Sequence, residues 1–293
     1  MSRKTALSSV LLTLVCCSAL VVPASAQHFQ QVKGTLASVS AGRNEIFGFD
    51  IHAAVWRFHA STNSFSKIAH ALLVNIAVGG GTTSQLDEVW GIDASGNVYR
   101  FNYSTKAFDQ VPGVLSQVAV GVGNQDDCHP YEVWGVNSAD AIFRYNYCTS
   151  VFDQVSGLLI QVATGGGDVW GINSSFHIFH FNFATQSFAT VTGSLTQIAV
   201  GVNDVWGVNS SNSVFRYNPT SHTFNSVRGN TGQVAAGGDG VWLIDTSNNI
   251  FRFDSSSESF VQVSGVLKSV SVGSGAGVFG VNDSDQDFTF VRP

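Results

Sequence analysis

Charge is what this chain has least of. Only 12% of its 293 residues are Asp, Glu, Lys or Arg, and the balance is acidic, with 14 Lys and Arg against 20 Asp and Glu. Two of the cations, Arg3 and Lys4, precede an apolar run from about Val10 to Val22 that is followed by Ala24-Ser25-Ala26. That layout is a secretory signal peptide, so residues 1–26 are expected to be removed before Gln27 and the protein to be secreted or periplasmic. The run is shorter than the roughly 20 residues of a membrane-spanning helix, which argues against insertion. Without Arg3 and Lys4 the chain keeps 12 cations against 20 anions, a net charge of −8. A nucleic-acid partner is therefore excluded, because phosphate recognition needs a clustered positive field.

Cysteine is nearly as scarce. Of four, Cys16 and Cys17 lie in the leader, leaving Cys128 and Cys148. Two cysteines twenty residues apart in an exported chain fit a disulfide, whereas a metal centre wants more ligands near CxxC spacing. The eight histidines show no H-x-x-x-H spacing, so no metal is expected. There is also no G-x-S-x-G, no S-x-D-x-G-x-T-W box, and no pair of carboxylates outside one loop patch that is not repeated. The expectation is a protein that is not an enzyme and needs no cofactor. Helical periodicity is absent from residues 27–293, which excludes a helical repeat protein.

What the chain does have is a sentence written seven times. The aromatic of a V-W-G element falls at Phe47, Trp90, Trp134, Trp170, Trp206, Trp242 and Phe279. Ten residues later stand Arg57, Arg100, Arg144, His180, Arg216, Arg252 and Thr289. A V-x-G glycine falls at Gly34, Gly113, Gly157, Gly193, Gly229 and Gly265, with His70 in its place in the second copy. The basic unit is 36 residues, and all variation in length lies between the V-x-G and V-W-G elements. Segments such as 195–200, 204–208, 213–217 and 224–227 are short, β-branched and aromatic, and are separated by turn residues. Four such strands per copy predict an all-β fold, a seven-bladed β-propeller of four-stranded antiparallel blades in one domain, 27–293. The last copy lacks its final F-x-x-V strand, and residues 29–32 carry one just after the leader. The N-terminal strand is thus expected to complete the last blade and close the ring.

The run from Phe188 through Val191-Thr192-Gly193, Leu195, Ile198, Gly201 and Val205-Trp206-Gly207-Val208-Asn209 resembles the repeat of the tectonin family, which includes slime-mould tectonins, fish egg lectins, and horseshoe-crab and mushroom lectins. The resemblance spans essentially all of 27–293. It implies a propeller that binds glycans or glycoconjugates. One departure is systematic: the first aromatic of the pattern, usually Trp in the family, is Phe29, Phe65, Phe108, Phe152, Phe188, Phe224 and Phe260 here.

Residues shared by all copies are first of all building blocks. The V-W-G aromatics suit the wedge between blades better than a sugar platform. Asp50, Asp93, Asn137, Asn173, Asn209, Asp245 and Asn282 open turns by bonding the backbone two residues on. Arg57, Arg100, Arg144, Arg216 and Arg252 are candidate ligand contacts, with pairing to carboxylates or backbone as the structural alternative. Asp283-Ser284-Asp285-Gln286-Asp287 has alternate carboxylates but lacks the glycine and distal glutamate of a calcium loop, and reads as a solvated turn. Two copies are interrupted, at 79–88 and 121–132. Both insertions are expected on one face, as a patch bearing Asp87, Glu88, Asp126, Asp127, His129, Tyr131 and Glu132, with Cys128 and Cys148 pinning the longer. Glycan binding, with several weak sites adding avidity, is the first expectation, and a protein-interaction scaffold using the two insertions is the second.

Overall fold

The computed structural model describes residues 27–291, so the leader and its cleavage site at Ala26 lie outside the described residues. Every regular element among them is a β-strand. Residues 197–230 are typical: strands Gln197–Val200, Val205–Val208, Ser213–Asn218 and Thr223–Asn230 pair in sequence order as one antiparallel sheet. Residues 75–114, 117–158 and 161–194 form sheets of the same order, and 38–72 and 233–266 repeat the pairing. The last sheet is built from both ends of the chain. Strands Ser269–Val272, Val278–Val281 and Gln286–Val291 pair in order, and His28–Thr35 lies antiparallel along Gln286–Val291, from His28 opposite Val291 to Thr35 opposite Gln286. That N-terminal strand also touches Ser264 and Ser64 of the two flanking sheets through single parallel pairs.

The first strand of each sheet lies beside the first strand of the next, and Ser38–Ala41 lies beside Ser269–Val272. All of these strands line one central cavity of about 580 Å³, walled largely by glycine, alanine and valine. No backbone ladder joins them. Instead, glutamine amides act as clasps: Gln161 donates to the Ile198 carbonyl and accepts from the Ile198 N–H, and Gln117 and Gln233 do the same with Val162 and Val270. In the first and last copies, which carry no glutamine there, Ser40 and Ser271 accept from the N–H groups of Val78 and Ala41.

The core sits between sheets. Trp90, Trp134, Trp170, Trp206 and Trp242 are fully buried, and each packs edge-on against two aromatics of the following sheet. Trp134, for example, meets Phe181 at 4.7 Å and Phe188 at 5.7 Å between ring centroids. Edge-to-face geometry sets the positive rim of one ring against the negative face of another, which adds to the apolar area removed from water. The series passes through the chain ends: Trp242 meets Phe290 and Phe29, and Phe279 meets Phe58 of the first sheet. The phenylalanines that replace the family's usual first tryptophan are thus the fourth-strand halves of these wedges. The turn openers behave as expected. The Asn209 side chain accepts from the N–H groups of Ser211 and Ser213, and Asp245 from Ser247 and Asn249.

Candidate functional site

On the second and third strands the V-W-G aromatic and the residue ten places later stand directly opposite each other, as with Trp134 and Arg144. Opposite residues of an antiparallel pair share a face, so the guanidinium lies over the aromatic wedge. In Trp134 and Arg144 the Cζ is 5.5 Å from the ring centroid. The residue two before the aromatic then completes a triad. Glu132 Oε2 accepts from Trp134 Nε1 at 2.7 Å and from Arg144 Nε at 2.9 Å, while Oε1 accepts from Arg144 Nη2 at 2.6 Å. Glu88 does the same for Trp90 and Arg100. Glu45 pairs with Arg57 beside Phe47, which has no N–H to offer.

The unit degrades along the chain in chemically legible steps. Asp204 lies 3.5 Å from Arg216, but its shorter side chain leaves the buried Trp206 Nε1 without a partner. Asp168 faces His180, whose ring stacks on Trp170 at 4.2 Å. Gly240 leaves Arg252 with no carboxylate, and in the last copy Gly277, Phe279 and Thr289 have lost carboxylate, indole and cation together. The sequence signal for the triad is an acid two residues before the V-W-G aromatic and twelve before the basic residue. It is present five times, but the spacing by itself does not mark these residues as a bonded set.

The five candidate arginines thus divide. Arg57, Arg100, Arg144 and Arg216 are paired within their own sheets, and Arg252 is not. Pairing does not hide them all. The Arg144 and Glu132 side chains are 6% and 0% exposed, whereas Arg100 and Arg216 keep 38% and 42% exposure. Burial disfavours the Arg100 charge, but the bond to Glu88 and the field of that carboxylate outweigh it and raise the pKa above the usual guanidinium value. Tyr103 and Tyr147, packed beside these carboxylates, are pushed above the usual phenol range, mainly by burial.

Two of these arginines line grooves. Arg100, Asn102, Asp109 and Val111 face Tyr145 of the next sheet across a cavity of about 380 Å³. At the equivalent place Arg216, Asn218, Asn225 and Val227 face Phe253 across about 620 Å³. The same constellation of guanidinium, asparagine and aromatic edge is therefore presented at two separate points.

The interrupted copies are built differently from the expected patch. Asp87 is buried, and its two oxygens accept from the N–H groups of Arg43, Asn44, Glu45 and Gly81, which ties the 79–88 insertion to the first sheet. Glu88 and Glu132 point into the triads. Of the acidic patch only Asp127 is exposed, and the side chain of Asp126 lies outside the described residues. The second insertion is not a loop but a lengthened hairpin, Gln117–Asp126 against His129–Val136, with a register shift between Val122 and Asp126. The ladder runs on past the usual blade length to Val122 opposite Tyr131 and resumes at Asp126 opposite His129. Cys128 at its tip is joined to Cys148, with their Cα atoms 5.0 Å apart. Tyr131 donates to the Leu86 carbonyl, so the two insertions touch, and His129 is half-buried nearby.

Only the start of the run 283–287 is the solvated turn its sequence suggests, with Asp283 and Ser284 exposed. Asp283 accepts from the Asn248 amide and Asp285 pairs with Lys268, but Asp287 is buried at an inward strand position that other copies fill with Val or Ile. Among the described residues no group of three or more His, Cys, Asp or Glu side chains is placed to hold a metal ion. Among the same residues no helix is long and apolar enough to cross a membrane.

No curated protein sequence matches this one significantly. Solved structures match by fold alone. The β-propeller domain of Myceliophteria thermophila Cps50 (Swd1) superposes with a TM-score of 0.69 at 7% identity, covering 91% of this chain and 100% of that one. Human WBSCR16 gives 0.66 at 12% identity over 89% and 88%, and YCF48 bound to D1 peptide gives 0.65 at 10% identity over 91% and 97%. The tectonin domain model matches residues 35–223 and 194–292. With the repeated V-W-G strand, the aromatic wedges and a match over nearly all of the described residues, this chain belongs to the tectonin family.

Proposed function

We propose that this protein is a secreted, non-catalytic lectin whose sheets form a closed ring of seven blades, residues 27–293, that binds surface glycans at several points. The observation that carries the reading is the recurrence of one groove. Guanidinium, asparagine and an aromatic edge converge at Arg100 and again at Arg216, a combination that suits the hydroxyls and apolar edge of a sugar ring. Sites held apart on a rigid ring add avidity toward a surface that displays many copies of a ligand. Closure through the N-terminal strand removes an exposed sheet edge. Removal of residues 1–26 would place that strand at the start of the secreted chain. The test is a glycan array followed by calorimetry with each hit: more than one site per chain, weakened by Arg216→Ala or Asn218→Ala, is expected, and an array without hits would sink the reading.

A second reading, a protein-binding scaffold, is favoured by the disulfide-tied hairpin and its contact with the first insertion. Two structural relatives are described with partners, yeast RCC1 (Prp20) with Kap60 and YCF48 with a D1 peptide. Exchanging Asp127 and His129 for alanine would abolish capture of a protein partner and leave glycan binding intact.

A further inference from the structure

The sixth copy keeps both donors of the triad and lacks only its acceptor. Trp242 is fully buried, and its Nε1 has no hydrogen-bond partner. Arg252 stands opposite it on the ladder, with its Nε buried and also without a partner. Its guanidinium lies over the Trp242 and Phe290 rings, 5.9 Å from each centroid, which holds it in place. Where the second and third copies have Glu88 and Glu132, this copy has Gly240. A Cβ built on Gly240 would meet only Trp242 Nε1 at 3.7 Å and Arg252 Nε at 3.9 Å, so the acceptor's place is open and faced by two convergent donors.

The other copies serve as internal controls. In the last copy the carboxylate, indole and cation are all replaced, and no donor is stranded. Trp170 and Trp206 also lack an indole partner, but there an aspartate still faces the basic residue. Among the described residues, only at 240–252 does a buried guanidinium nitrogen join a buried indole nitrogen without an acceptor. Asp239 of the same hairpin holds the N–H groups of Gly275 and Gly277 through its Oδ2. Buried donors left unpaired are destabilising, and a pair of them aimed at one vacant point is what a site for an outside acceptor looks like.

We propose that Arg252 and Trp242 form a binding site for the carboxylate of a ligand, which takes the place that Glu88 and Glu132 fill in their own copies. One carboxylate oxygen accepts from the indole and from Nε, and the other accepts from a terminal guanidinium nitrogen. This is the bidentate geometry for which arginine is suited and lysine is not. The group can come from an acidic sugar or from a free small acid. The site stands apart from the two grooves and does not depend on their binding neutral glycans.

Calorimetry of the purified protein at neutral pH and low salt, with glucuronate and acetate as probes, tests it. One saturable site per chain is expected, weakened about tenfold or more by Arg252→Gln, since a charge-assisted bond is lost at a buried site. Trp242→Phe, whose ring the fold already accepts at Phe47 and Phe279, should weaken binding several-fold while the melting curve stays cooperative. Glucuronate binding much more tightly than acetate assigns the site to acidic sugars, and equal binding assigns it to small carboxylates. No saturable binding of either probe, or binding that neither variant alters, overturns the proposal. Array hits with neutral glycans should survive both variants, so the two readings can fail separately.

Discussion

Glu132 shows what a single side chain does in this protein. Its carboxylate is wholly enclosed and satisfies an indole and a guanidinium at once. Removing one partner of a buried pair leaves the other as an uncompensated charge, so Glu132→Ala should lower the unfolding free energy by about 3–5 kcal/mol in urea titrations. Asp204→Ala, in the more exposed pair with Arg216, should cost about 1 kcal/mol or less, because water already screens that pair. Similar costs for the two variants would show that the triad is not held by its carboxylate. The acid itself was visible in the sequence at a constant offset, but its offset carries no meaning until the ladder sets Trp134 opposite Arg144.

At the scale of the element, no backbone ladder joins neighbouring first strands, and side chains bridge them. Gln161 makes two bonds to Ile198 of the neighbouring first strand. Gln161→Ala should therefore cost about 1–3 kcal/mol, and amide exchange should quicken at Ile198, whose N–H loses its acceptor. The lengthened hairpin is a different case. The crosslink closes a twenty-residue span, and the unfolded-state argument predicts a loss of about 3 kcal/mol in Cys128→Ser/Cys148→Ser, read from denaturant midpoints with and without reductant. A strand-like insertion and a loop look alike in sequence when turn residues such as Asn124 and Gly123 are present. Only the pairing of Val122 with Tyr131 decides between them.

For the whole molecule, the first and last strands pair along one seam, and Asp287 sits in it, opposite Val32. Burial raises its carboxyl pKa to about 7, against the partial relief of the Leu36 N–H bond, and Oδ2 has no partner. The unfolded chain ionises this group near 3.8 and the folded chain near 7, so between those values the folded state holds the extra proton. Stability from this group is therefore greatest below about pH 4, falls as pH rises toward about 7, and is level above that. Asp287→Val, which restores the residue type of the other copies, should raise the melting temperature at pH 8 and flatten its dependence across pH 4–7. A variant as pH-dependent as the parent would refute the assignment. Because Asp287 lies opposite Val32, the same measurement reports on the pairing of the first and last strands.

The sequence by itself determined the repeat, its four-strand content, the turn openers, the fate of the aromatics as wedge fillers and the pairing of the terminal strands. All of these follow from local propensity, from period and from the absence of any competing helical pattern. Only the tertiary structure decided which polar groups are already committed. Arg144 and Arg252 occupy the same place in the same sentence, yet one is sealed against Glu132 and the other faces a gap left by Gly240. Asp87 and Asp127 both lie in insertions, but one is buried on four backbone N–H groups and the other is exposed. The reason is that the strength of a polar group depends on its partners and on water, and both are set by chain segments far away in sequence.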